Sequence, residues 1–159
     1  MAKNNFLKDN QNLIIYGVLI YIGYTKVIKP ILQKVGIEKS DEEILIDNEV
    51  TNINSPWNPN YYKQFGNRVV LLITRASLNQ YLATIWNSVG YFYDDFDAVM
   101  GVFKKLKSKT QVSQLVDEFN KRFNKDLLLW LKGDFYPSDR FSVEQVNQLI
   151  ELVKGYKNY

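Results

Sequence analysis

"LIIYGVLIYIGY", residues 13–24, carries no charge, and its reading decides where the rest of the chain sits. A hydrocarbon core about 30 Å thick needs about 20 apolar residues in a helix that rises about 1.5 Å per residue. Leu13 to Thr25 alone falls short. Leu13 to Leu32 reaches the full thickness, provided Lys26 and Lys29 carry their amines toward the headgroups. That window holds eleven Leu, Ile and Val residues. Each contributes roughly −0.3 to −0.6 kcal/mol to insertion, whereas a lysine costs about +3 kcal/mol only at mid-span. Tyr16, Tyr21 and Tyr24 suit an interface, Gly17 and Gly23 are tolerated in such helices, and Pro30 stands near the exit.

A cleaved leader wants small residues at a cleavage site after its apolar run, and Tyr24-Thr25-Lys26-Val27 offers none. A soluble helix shows polar residues at helical spacing, whereas this stretch interrupts its aliphatics only with tyrosines and glycines. A helix docked in a core or on a partner is the rival reading. Residues 1–36 therefore read as a transmembrane anchor with a short N-terminal flank. Its apolar body is Leu13, Ile14, Ile15, Val18, Leu19, Ile20 and Ile22, with Lys26 and Lys29 at its rim. Lys26, Lys29, Lys34 and Lys39 follow the span and Lys3 and Lys8 precede it, which favours the C-terminal part on the cytoplasmic side.

The 159 residues include neither Cys nor His. That removes thiol nucleophiles, disulfides, nearly all zinc sites and the usual general base. A formal net charge of +3 is too small to imply a polyanionic partner by itself. Its distribution is uneven: Glu38, Asp41, Glu42, Glu43, Asp47 and Glu49 crowd into one segment against Lys39, and the remainder is basic. Residues 37–60 read as an acidic linker ending in "NSPWNPN", where two prolines hold Ser55 and Asn58 extended. Trp57 between them reads as a hydrophobic latch onto the domain that follows, over residues 61–159. "RVVLLIT", residues 68–74, is too short to assign and fits an extended or a helical segment.

From Ser77 the helical signals are clear. Leu78, Tyr81, Leu82, Ile85, Trp86 and Val89 recur at helix spacing up to Gly90. Asp94 or Asp95 caps a second helix with Val99, Val102, Phe103 and Leu106 on one face. Thr110 caps a third, with Val112, Leu115, Val116, Phe119 and Phe123 inward and Asn124 as a left-handed terminator. Asp126 opens "LLLWLK", closed by Gly133. Ser142 and Gln145 make a capping-box pattern ahead of Val143, Val146, Leu149, Ile150 and Val153. Five short helices with one apolar stripe each predict an all-α, compact five-helix bundle.

The run "DAVMGVFKKLKSKTQVSQLVDEFNKRFNKDLLLWLKGD", residues 97–134, resembles an annexin repeat, and the likeness covers roughly Arg75 to Lys154. The chain is also similar to annexin-like proteins of Bacteroidetes and their phages that open with a membrane segment and carry a Trp-Asn-Pro-aromatic stretch. The resemblance implies a five-helix fold and binding to acidic phospholipid. It departs from the family at the calcium loop, where Tyr91-Phe92-Tyr93-Asp94 stand in place of Gly-x-Gly-Thr. Asp134 matches the family's distal acidic ligand. One carboxylate without the glycine loop makes a poor site, so no metal and no cofactor is expected. In the annexin-like arrangement Tyr91, Phe92 and Tyr93 lie beside Phe135 and Tyr136 at one end of the bundle. There they form, with Trp57, an interaction surface for lipid or protein, or simply cover the end of the core.

Lys104, Lys105, Lys107 and Lys109, joined by Lys121, Arg122 and Lys125, form a candidate phosphate contact for lipid or nucleic acid, against the plain reading of a solvated charge run. Asp94, Asp95 and Asp97 stand at a helix start and read as capping groups rather than paired catalytic acids. Glu118 is the one acid within the bundle that a lysis enzyme could use, and its helix is an ordinary amphipathic one. The chain is therefore expected to be a non-enzymatic, membrane-anchored structural protein. Its partners would be the bilayer and a protein of a shell or membrane complex. The phage-like resemblance implies a minor virion component tying a membrane to a shell or genome, with the C-terminal domain on the virion-associated side. The alternatives are a peripheral phospholipid-binding module, calcium-independent in preference to calcium-dependent, and a phage lysis or cell-wall effector.

Overall fold

The computed structural model describes residues 18–34, 38–66, 70–89, 94–133 and 141–159. The chain divides into two compact units, Met1–Ser40 and Asp41–Tyr159. Among the described residues every regular element is helical, and β structure is limited to the isolated bridges Val89–Asp94 and Ser108–Lys157.

In the first unit, helix α1 covers residues 18–34. Its middle, Tyr24–Ile28, is a π-turn in which the Lys29 N–H donates to the Tyr24 carbonyl. The cause lies one residue on. Pro30 has no N–H to give to the carbonyl four residues back, so the ladder widens before it. The Thr25 hydroxyl donates to the carbonyls of Tyr21 (2.9 Å) and Ile22 (3.3 Å) at the same place. Beyond the helix, Glu38 accepts a 2.6 Å hydrogen bond from the Tyr24 hydroxyl.

The second unit contains α2 (Asp41–Thr51), a 3₁₀ turn (Tyr62–Phe65), α3 (Arg75–Asn87), α4 (Phe96–Phe103), α5 (Lys109–Phe123), α6 (Leu127–Lys132) and α7 (Val143–Lys154). The five helices expected from Ser77 onward correspond to α3–α7. Their ends follow side-chain chemistry. Thr74, Asp95, Ser108, Asp126 and Ser142 each accept a backbone N–H as N-caps, and Ser142 and Gln145 complete a capping box. Such a cap contributes about 0.5–2 kcal/mol. Asn124 and Gly133 end α5 and α6 in the left-handed conformation. One cap differs from expectation. Ser108, not Thr110, opens α5, and Thr110 lies inside the helix with its hydroxyl 2.9 Å from that of Ser108.

The larger correction concerns residues 41–60, which the acidic composition had suggested were linker. Asp41–Thr51 is a helix packed against α6 and α7, with Ile46 fully buried. Its three acids, Asp41, Glu42 and Glu43, lie in the first turn, where they suit the helix dipole. Ile46 then supplies the buried anchor that composition alone conceals.

Helix α5 is the centre of this unit and touches α3, α6, α7 and the 3₁₀ turn. Its apolar stripe, Val112, Leu115, Val116 and Phe119, is fully buried. Trp86 of α3 stacks on Phe123 of α5 (4.1 Å between ring centres) and on Trp130 of α6 (5.3 Å), which joins three helices through one aromatic cluster.

Candidate functional site: the polar stripe of α5 and the basic turn before it

Helix α5 buries a second, polar stripe. Ser113, Gln114 and Asp117 recur at helical spacing and hold the irregular stretches 52–66 and 70–74. The Ser113 hydroxyl donates to the Asn58 carbonyl (2.6 Å) and accepts from the Tyr62 N–H (3.1 Å). The Gln114 amide takes both backbone groups of Ile73, accepting from its N–H (2.6 Å) and donating to its carbonyl (3.3 Å). Asp117 accepts from the Tyr62 hydroxyl (2.7 Å), Lys63 (3.2 Å) and Lys121 (2.6 Å).

Asp117 is the most elaborate titratable centre among the described residues, and its geometry is structural. Burial pushes its carboxyl up. The hydrogen bonds from Lys121, Tyr62 and Lys63 outweigh that and leave it below the usual range. Tyr62 is pushed up to about 12, first by burial and then by its bond to Asp117. Three donors occupy the carboxylate, so it is ill placed to take a proton from a substrate. Glu118 is tied to Arg75 (3.1 Å) and Lys121 (3.3 Å) on the rim of a cavity of about 310 Å³ between α3 and α5.

Trp57 reads from the sequence both as a latch onto the following domain and as a member of the aromatic interaction surface, and its burial fits the first and overturns the second. It is 1 % exposed, with its ring 5.1 Å from that of Phe103. It is therefore a latch inside the core, and no partner can reach its face. Tyr91, Phe92, Tyr93, Phe135, Tyr136 and the calcium candidate Asp134 lie outside the described residues, as do Leu13, Ile14 and Ile15 of the anchor.

The basic cluster separates into two. Lys104, Lys105, Lys107 and Lys109 occupy the turn from α4 into α5, whereas Lys121 and Arg122 lie in the last turn of α5. Twelve residues of helix place the two groups about 18 Å apart, so they do not form one patch. Lys105 lies over the Tyr81 ring at 6.0 Å. What the sequence did not reveal is Lys157. The C-terminal residues run parallel to the start of α5, with Lys109 N–H donating to the Lys157 carbonyl (2.8 Å) and Thr110 N–H to that of Asn158 (3.2 Å). This pairing brings Lys157 beside Lys107 on the edge of a groove of about 660 Å³ whose other wall is Val70, Leu71 and Leu72. The same pairing occupies the first N–H groups of α5, which are therefore not open to an anion.

No family model, curated protein or solved structure matches the chain.

Proposed function

We propose that this chain is a non-enzymatic, membrane-anchored interaction protein, in which α1 with the residues before it holds the lipid and the unit Asp41–Tyr159 meets a protein partner. The observation that carries the reading is the exposure of α1. Val18, Leu19, Ile20, Tyr21 and Ile22 are all exposed, Ile20 by 72 %. Five consecutive exposed apolar residues face every direction around a helix, which an amphipathic docking stripe would not need.

Among the described residues no helix is long and apolar enough to cross a membrane, and the window from Leu13 begins outside them. The bond from Tyr24 to Glu38 also draws a carboxylate back beside the helix, two turns before Leu32. A carboxylate belongs in water or headgroups, so the lipid boundary falls near Tyr24. The eleven apolar residues from Leu13 to Gly23 would supply about 16 Å if helical throughout, which suits one leaflet rather than a full span. The occupied lone pairs of Asp117 and a sequence without His or Cys support the absence of catalysis.

Flotation of the full-length chain with liposomes tests the anchor, and residues 41–159 serve as the control that should stay in the aqueous fraction. A chain without cysteine also permits single-cysteine mapping with a membrane-impermeant maleimide. Ile20→Cys should be protected, while Ile28→Cys and Leu32→Cys react. Equal protection at all three would move the boundary to Leu32 and restore a full span. Failure of the full chain to float would remove the anchor altogether.

A further inference from the structure

Gln114 engages the N–H and the carbonyl of one residue, Ile73, from the same side. Extended backbone presents both groups of one residue to one side and those of its neighbours to the other. The amide side chain thus acts as a short stretch of partner strand on the α5 side of Ile73. The N–H and carbonyl of Leu72 then point away from α5, and neither enters a hydrogen bond among the described residues. Leu71 is 53 % exposed and Leu72 44 %. An apolar segment with an open backbone edge is a template for another strand.

Charge identifies what would pair there. Lys107 and Lys157 line the groove opposite Leu71 and Leu72, and neither has a carboxylate partner among the described residues. The first turn of α5 contains no acidic residue, although Lys107 and Lys109 flank its positive end. That arrangement opposes the helix dipole, and among the described residues no carboxylate pairs with Lys107 or Lys109. A second copy of this chain would bring its own Lys107 and Lys157 against these, so self-pairing is disfavoured. The exposed leucines and the open backbone edge favour a peptide over a nucleic acid, which would use the lysines alone.

We infer that the groove between Val70–Leu72 and Lys107–Lys157 receives an extended segment of a partner protein, which adds as a strand at Leu72 with acidic side chains on one face toward the two lysines and apolar ones on the other face over Leu72. The inference rests on reading Asp41–Tyr159 as an interaction module and is independent of the anchor.

The test uses the isotopically labelled full-length chain in detergent micelles, followed by amide chemical shifts. The probe is a blocked heptapeptide, Thr-Val-Glu-Val-Glu-Val-Thr, and its counterpart has lysine for glutamate. The acidic probe should shift the amides of Leu71, Leu72 and Lys157. Its affinity should fall several-fold as salt rises from about 50 to about 300 mM, because the Debye length shortens. Lys107→Glu with Lys157→Glu should weaken it by about ten-fold, the sum of two exposed ion pairs, with shifts elsewhere unchanged. Leu72→Pro, which removes the donor, should abolish it. If Leu72→Pro disturbs the fold, N-methylation of the probe's central residue removes the same pairing from the other side. The inference is overturned if the acidic probe causes no shift at millimolar concentration or if the lysine probe binds equally well. It is also overturned if oligouridine moves the groove amides while the peptide does not. Liposome flotation reads the anchor separately, so either idea can fail alone.

Discussion

Replacing Trp57 with alanine should destabilise the unit Asp41–Tyr159 by about 3–5 kcal/mol. The reasoning starts from position. Trp57 lies in a segment bounded by Pro56 and Pro59, with no regular structure of its own, yet it is 1 % exposed and packs on Phe103 of α4. A buried tryptophan removes about 150–250 Å² from water. At about 25 cal/mol per Å² that amounts to about 4–6 kcal/mol, an upper bound because the unfolded chain already covers part of the ring. The methyl of alanine retains a little of it, and partial collapse of the site recovers more. The segment has its own ties as well. The Ser55 hydroxyl accepts from the Trp57 N–H (3.1 Å) and donates to Glu49 of α2. Urea unfolding of the full-length chain in mild detergent, followed by far-ultraviolet circular dichroism, measures the loss. Trp57→Phe, which keeps a ring against Phe103, should retain much of the stability. A loss below about 0.5 kcal/mol for Trp57→Ala is what an exposed linker residue gives. That result would refute the placement of residues 52–66 in the cooperative core.

Two further predictions concern the buried Asp117 and the half-buried Asp126, whose shifts are opposite. Asp117 titrates lower in the fold than in the unfolded chain, so its contribution is present above the unfolded value of about 3.9 and is lost as pH falls through the folded one. Asp117→Asn should therefore reduce stability at neutral pH and flatten its decline below about pH 4, which urea midpoints across pH would show. Asp126 is raised by burial, against the lowering effect of its bonds from the Leu129 and Leu128 N–H groups. Its contribution to stability is therefore largest in acid and declines as pH rises through the folded value. Asn caps as well as Asp without carrying a charge, so Asp126→Asn should be neutral or stabilising at pH 7, whereas Asp126→Ala should cost about 0.5–2 kcal/mol. Equal losses in the two Asp126 variants would show that the charge matters more than the cap.

The helices were legible because their caps and stripes are local. Asp126 to Gly133 can be read off eight residues, and the structure returns the same cap and the same left-handed terminator. What escaped was the role of polar residues inside the bundle. "TQVSQLVDEF" reads as an amphipathic helix whose polar face meets water, yet Ser113 and Asp117 are buried and Gln114 is bonded to Ile73. The signal was present as Ser113, Gln114 and Asp117 at spacings of one, three and four. Nothing local distinguishes a polar stripe that meets solvent from one that meets the chain's own backbone. The segment it serves was equally opaque, because "NSPWNPNYYKQF" has no periodicity and its groups are satisfied across more than fifty residues of separation. Composition misled for a related reason. Six acids between Glu38 and Val50 suggest a solvated tether, but Ile46, with Val50 packed against the same core, is enough to dock a helix once neighbouring helices supply the pocket.

That separation explains how a short all-helical unit comes to present a strand edge. Helices satisfy their own backbone, so a bundle ordinarily offers partners only side chains. Here the described stretches 52–66 and 70–74 are non-helical apart from the short 3₁₀ turn and depend on the side chains of α5 for hydrogen bonds. A side chain such as Gln114 can pair with one residue of an extended chain and then ends, whereas a true neighbouring strand would continue along it. Beyond Ile73 the pairing runs out, and Leu72 retains the backbone groups that a sheet would have consumed. The open edge is therefore a consequence of holding an extended segment with a helix, and the lysines brought together by the C-terminal pairing give that edge a preferred charge.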